Sequence, residues 1–307
     1  MGPARTFAGH TLVDDEDCLK CAIWAPVTAL HAASQAEELA QVAAIEAADA
    51  ARARLERGDS GSDDSIMWPE RQPPHKSASV PMLPVIVYIH GGAGKMGTCH
   101  TDVHGGETLA RTQKVIFIAI NYRLGILGFL AHPALTSEDA VSSLGCCGNY
   151  AIADQLAALI WVQKHIHCFG GDKNNVTVMG YSSGAQFVST LIVSPLTRHP
   201  QWGMGADSRP TGLFHRAVIQ SGVDLPNVRK LQSSCEVWQG KSAEEWGEEL
   251  ANRMNCPTEE DTRLADSWHS GQLTSLRKLP VETIVVSCVA PGSLVLCPVS
   301  WIHRSTR

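Results

Sequence analysis

The chain has 307 residues, 44% of them hydrophobic and 18% charged, with a formal net charge of -6. That length accommodates one large α/β domain or two ordinary ones, and the apolar fraction is enough to bury a sizeable core. The acidic balance and the lack of any basic cluster argue against nucleic acid or an anionic membrane as partner, since either favours a basic face.

From the N-terminus, Met1 to Asp17 lacks the apolar core of a secretory signal, so the chain as written is expected to be cytoplasmic. Cys18 and Cys21 form a C-x-x-C. Zinc would need a second ligand pair, and the only dense candidate, His165-Ile166-His167-Cys168, lacks the spacing. The ten cysteines therefore read as reduced thiols, and neither a metal nor an organic cofactor is expected. Ala22 to Pro26 reads as a short strand that opens the domain (residues 1–26). Residues 27–82 read as an insertion. Its first part, Val27 to Arg57, is Ala- and Glu-rich with Leu30, Leu39, Val42 and Ile45 at near-helical spacing, and Gly58 stops it. Its second part, Asp59 to Ser79, is a polar, periodicity-free linker.

Residues 83–286 carry the core pattern. Val85 to Ile89 and Val115 to Ile120 are continuous apolar, β-branched runs, as expected of strands buried on both faces, and Val176 to Met179 and Ala217 to Ile219 are shorter versions. Between them, Ala151 to His167 has a helical pattern with Leu156, Leu159, Ile160 and Val162 on its apolar side. A second helix begins after Ser182 and carries Phe187, Val188, Leu191 and Ile192. Alternating strands and helices predict an α/β fold with a mostly parallel sheet covered on both faces. Further helices are expected around Glu244 to Met254 and ending near Leu276 to Pro280. Residues 287–307 form an unassigned tail. The apolar runs near Val285 and Leu294 are interrupted by Pro291 and Gly292, so no membrane span is expected.

Gly180-Tyr181-Ser182-Ser183-Gly184 directly follows the strand run Val176-Thr177-Val178-Met179. A serine at a tight strand-to-helix turn is held exposed, and glycines two residues away on either side let strand and helix approach closely. Its hydroxyl then sits at a helix N-terminus, where N–H groups favour developing negative charge. His90-Gly91-Gly92-Ala93-Gly94 also follows a buried strand, and its small residues leave N–H groups to face a ligand oxygen, as an oxyanion hole requires. Gly92-Ala93-Gly94-Lys95-Met96-Gly97 fits the dinucleotide fingerprint as well, but Ile120-Asn121-Tyr122-Arg123 offers no acidic residue at the end of the next strand. A serine hydrolase accounts for both glycine clusters at once.

Several ordered stretches carry a resemblance. They are Glu16-Asp17-Cys18-Leu19 with Trp24-Ala25-Pro26, Leu83 to Gly92, and Asn121-Tyr122-Arg123-Leu124-Gly125 with Gly128-Phe129-Leu130. Gly148-Asn149-Tyr150 with Asp154-Gln155, Trp161-Val162-Gln163, Phe169-Gly170-Gly171-Asp172 and the serine motif follow. Phe214-His215-Arg216-Ala217 with Gln220-Ser221-Gly222 completes the series. In order and spacing the chain resembles the type-B carboxylesterase and cholinesterase family over about Asp15 to Pro26 and Leu83 to Pro280.

The resemblance implies an α/β-hydrolase fold with an incomplete C-terminal part. It also implies hydrolysis of a small-molecule carboxylic ester through a serine-bound acyl intermediate. Carried over by position, it makes Ser182 the nucleophile and the backbone N–H groups of Gly92, Ala93 and Ser183 the oxyanion hole. Ala93 stands where the family usually has glycine, and Tyr181 where it usually has glutamate. The family's acid and histidine come roughly one and two hundred residues after the serine, whereas 125 residues follow Ser182 here (307 - 182). The chain is therefore expected to be truncated at both ends and partial or impaired as an enzyme. The alternative is a non-catalytic cholinesterase-like binding protein or an inactive truncated product. Within the chain, Asp266 or Glu282 with His303 has the right order at much shorter separations, and His199, His215 and His269 are the other downstream histidines. Asn175-Val176-Thr177 is a glycosylation sequon expected to be unused. A sheet interrupted after its middle strands is expected to expose an apolar edge and self-associate.

Overall fold

A computed structural model describes residues 5–7, 10–12, 18–31, 33–34, 82–100, 105–142, 145–198, 212–222, 231, 241–256, 268–280 and 283–284. Two short strands, β1 (Arg5–Phe7) and β2 (His10–Leu12), pair antiparallel near the N-terminus. The main sheet has five strands in the order β3-β5-β4-β6-β7. They are β3 (Cys21–Trp24), β4 (Leu83–Ile89), β5 (Ile116–Ile120), β6 (Gly171–Tyr181) and β7 (Arg216–Gln220). Strands β5, β4, β6 and β7 run parallel, and β3 pairs antiparallel to β5. The α/β fold and the mostly parallel sheet expected from the alternating pattern are thus present.

Strand alternation sorts the side chains onto two faces. Val85, Val87, Ile89, Ile116, Ile118, Ile120, Val176 and Val178 share one core. It is covered by Leu156, Leu159 and Val162 of α4 (Tyr150–His165) and by Phe187, Val188 and Leu191 of α5 (Ser183–Val193). The intervening residues Ile86, Tyr88, Phe117, Ala119 and Met179 face the other way, against Trp24 and Leu109 of α1 (Gly106–Gln113). Helices therefore cover both faces, and all five residues of β5 are buried. This explains why β5 reads as an uninterrupted apolar run.

Three helices had no clear signal in the sequence: α1, α2 (Gly125–Phe129) and α3 (Pro133–Ser142). The later helices α6 (Ala243–Arg253) and α7 (Trp268–Lys278) match the expected positions. Ser242 caps α6 in a reciprocal capping box with Glu245, which accounts for its sharp start. Buried His132, beside α3, is joined to Gln272 of α7 at 3.1 Å, and Gln272 donates to Asn252 of α6 at 2.8 Å. Strand β6 is longer than Val176 to Met179 because Gly171 also pairs, across a register irregularity, with Leu83. Strand β7 departs from the buried signature, since every one of its residues is exposed.

The expected helix at Val27 begins as drawn, with residues 27–31 and 33–34 helical and Ala29 buried. The remainder of that helix, the 59–79 linker and the 287–307 tail lie outside the described residues. No helix among the described residues is long and apolar enough to cross a membrane.

Candidate active site

Ser182 connects β6 to α5 with φ 55° and ψ -122°. An L-residue held at such a positive φ costs on the order of 1–3 kcal/mol, so its surroundings must impose it. The flanking glycines show how. A β-carbon on Gly180 would lie 2.3 Å from the Gly184 carbonyl oxygen, and one on Gly184 would lie 2.1 Å from the Ile89 carbonyl oxygen. Strand β6, the first turn of α5 and the end of β4 thus meet backbone to backbone, and only glycine fits at both crossings. The Ser182 N–H donates to the Gln220 carbonyl at 2.9 Å, while its own carbonyl accepts from Ala185 and Gln186. Its hydroxyl makes no capping bond to the helix it precedes. Ser182 is half-buried and lies at the positive end of α5.

The loop after β4 lies against this turn. A β-carbon at Gly91 would stand 2.8 Å from the Tyr181 carbonyl oxygen and 3.1 Å from Ser182 Cβ. Gly92, Ala93 and Gly94 all have positive φ, at 116°, 56° and 66°. The Gly92 carbonyl accepts from Lys95 and Met96, folding residues 92–97 into a tight turn. Among the described residues, the next helix begins at Gly106. A dinucleotide fingerprint needs a helix opening directly from its glycines, so the second reading of this stretch falls. Among the described residues, the N–H groups of Gly92, Ala93 and Ser183 have no acceptor. The loop that carries Gly92 and Ala93 meets the turn that carries Ser182 and Ser183 on either side of them, Gly91 against Ser182 and Gly94 against Ser183.

Three further residues shape the loop and carried no individual signal. His90 is buried, its ring stacked on Tyr122 at 4.5 Å and its Nδ1 2.8 Å from the Gly91 carbonyl oxygen. Tyr122 donates its hydroxyl to the His90 carbonyl oxygen at 2.6 Å, and burial holds that phenol well above its ordinary range, so it remains a donor. Gly97 closes the turn, since a β-carbon there would strike the His90 ring at 2.3 Å. The one available clue to this cluster is that Tyr122 follows β5 at the same end of the sheet at which His90 follows β4. Arg123, next in sequence, forms a two-pronged ion pair with buried Asp154 of α4, both contacts at 2.8 Å, and holds the β5 exit against that helix.

No side chain among the described residues hydrogen-bonds the Ser182 hydroxyl. His215 exchanges hydrogen bonds with the Val176 backbone, accepting at Nδ1, and desolvation lowers its pKa; it braces the β6–β7 pair. His199, Asp266, Glu282 and His303 lie outside the described residues, as does the side chain of His269. Among the described residues no group of three His, Cys, Asp or Glu side chains could hold a metal ion. His167 and Cys168 touch at 3.4 Å on the surface.

Residues 3–291 match the carboxylesterase family. The chain is 42% identical over 227 residues to the fumonisin B1 esterase of Sphingopyxis macrogoltabida, covering 71% of this chain and 38% of the esterase. It is 31% identical over 205 residues to esterase E4 of Myzus persicae, covering 67% of this chain and 31% of that one. It is 38% identical over 184 residues to acetylcholinesterase of Danio rerio, covering 60% and 25%. The chain thus spans well under half the length of these relatives. A family match over nearly the whole chain, on a parallel sheet that presents Ser182 at its strand-to-helix turn, places this protein in the carboxylesterase family.

Proposed function

We propose that this chain carries the acyl-transfer half of a carboxylic ester hydrolase, with Ser182 as nucleophile and the N–H groups of Gly92, Ala93 and Ser183 as the oxyanion hole. The carrying observation is that, among the described residues, these three N–H groups lack an acceptor beside a serine whose hydroxyl is not spent on capping its own helix. In the reaction, Ser182 Oγ attacks the ester carbonyl carbon and loses its proton to a base. The carbonyl oxygen becomes an oxyanion that accepts from the three N–H groups. Collapse expels the alcohol, which takes up the proton, and leaves an acyl ester on Ser182. Water, deprotonated by the same base, then attacks the acyl carbon; the bond to Ser182 Oγ breaks, the proton returns from the base to that oxygen, and the carboxylic acid leaves. The esterase names of the relatives support a small-molecule carboxylic ester as substrate class. Tyr181, 50% exposed beside the serine, would offer that substrate an aromatic wall.

The second reading, a non-catalytic binding protein of the same lineage, is favoured by the absence of a hydrogen-bond partner for the Ser182 hydroxyl among the described residues. A fluorophosphonate probe separates the two. Stoichiometric labelling of the purified chain, abolished by Ser182→Ala, is expected for an activated serine. A folded chain that takes up no probe excludes the acyl-enzyme reading and leaves the binding protein.

A further inference from the structure

We propose that the side-chain hydroxyls of Ser183 and Tyr122 clamp the 90–94 loop at its two ends and so fix the positions of the Gly92 and Ala93 N–H groups. The chemical consequence rests on the acyl-enzyme reading; the clamp itself does not.

At the upstream end, Tyr122 donates to the His90 carbonyl oxygen at 2.6 Å and stacks on the His90 ring. Its ring also meets Phe187 of α5 edge-on at 5.3 Å, so the same side chain is anchored on the helix that follows Ser182. At the downstream end, the Gly94 N–H donates to Ser183 Oγ at 3.2 Å, a buried contact between residues 89 apart in sequence. Tyr122 and Ser183 are 2% and 7% exposed, so water does not compete freely for either bond.

The residues between the two anchors need such restraint. Gly92, Ala93 and Gly94 are three consecutive positive-φ residues, and Ala93 has a β-carbon that makes φ 56° unfavourable. Ala93 left to itself would relax toward negative φ, and its freely turning glycine neighbours would not hold the N–H groups in place. Ser183 has two tasks by virtue of one position. Its backbone N–H is the third proposed donor, while its hydroxyl holds the loop that carries the other two. The spacing among the three donors is therefore set through a single residue. Ser183 and Tyr122 act here as positioning residues, through the loop rather than on the substrate.

Hydrogen–deuterium exchange of the peptide spanning residues 91–97, measured on the full chain, tests this alongside fluorophosphonate labelling. Ser183→Ala and Tyr122→Phe each remove one oxygen atom and leave the apolar packing in place. Each is expected to raise loop exchange by about fivefold, the scale of one neutral hydrogen bond. Ser183→Thr, which restores the hydroxyl, is expected to return it toward the parent value. In labelling, the maximal phosphonylation rate is expected to fall while the probe's half-saturating concentration holds. Loop exchange unchanged in both folded variants overturns the clamp, even if the parent chain labels well. Faster exchange that Ser183→Thr reverses upholds the clamp, and an unlabelled parent in the same experiment rejects only the acyl-enzyme reading.

Discussion

A serine at a helix N-cap ordinarily accepts a hydrogen bond from the first turn, and its replacement by alanine then weakens the helix. Ser182 makes no such bond and sits at φ 55°. Two consequences follow for substitutions there. Ser182→Ala removes the hydroxyl but keeps the strain, whereas Ser182→Gly removes both. Urea unfolding is expected to place Ser182→Gly about 1 kcal/mol above Ser182→Ala in stability, the relief of strain outweighing glycine's greater chain entropy. A Ser182→Gly midpoint below that of Ser182→Ala would show that the turn is not strained. At this scale the sequence was partly legible. Ser182, Gly92, Ala93 and Ser183 stand out because glycine spacing marks both turns. The bond from Gly94 to Ser183 Oγ does not, since its partners are 89 positions apart and neither motif predicts the other's side-chain contact.

Among the elements, the closest approach is that of α5 to the ends of β4 and β6. It depends on backbone atoms alone at Gly180 and Gly184. Gly184→Ala would set a methyl group 2.1 Å from the Ile89 carbonyl oxygen, with no flexible side chain to yield. The helix must then shift off the sheet, at a cost of about 3 kcal/mol, and Ser182 must move with it. Thermal unfolding and probe labelling are expected to fall together. A variant of parent stability and parent labelling would contradict the close-packed turn. The strands were legible because short, continuous β-branched runs suit a strand covered on both faces and are too brief for a core helix. The helix α2 was not, because its five residues, Gly125-Ile126-Leu127-Gly128-Phe129, include two glycines and span little more than one turn. The first part of β6 was missed for a different reason. Residues such as Lys173 and Asn174 are exposed there, so no apolar run announces them.

For the molecule as a whole, the sheet of the described residues ends at β7, where Val218 and Ile219 are 38% and 39% exposed. Parallel sheets are ordinarily covered, and an apolar outer strand with unpaired backbone groups is a template for pairing. Sedimentation velocity is expected to show association that grows with concentration and declines in the Val218→Lys, Ile219→Lys double variant. A parent chain that stays monomeric at tens of micromolar, as an order of magnitude, would rule this out. The α/β character of the molecule and its mostly parallel sheet were readable from alternation. An exposed apolar edge was expected from the sheet's interruption, but its place at β7 was not, because Ala217 to Ile219 has the same composition as a covered strand and burial is a property of what lies alongside.

The last residue of that outer strand has one more attachment. The Gln220 carbonyl receives the Ser182 N–H, so the residue that ends β7 also holds the backbone of the candidate nucleophile. The two sites share a thermodynamic variable. If Ser182 is acylated as proposed, linkage requires that any effect of β7 occupancy on the acylation equilibrium be matched by an equal effect of acylation on affinity at β7. One hydrogen bond thus joins the exposed edge of the sheet to the backbone of the candidate nucleophile.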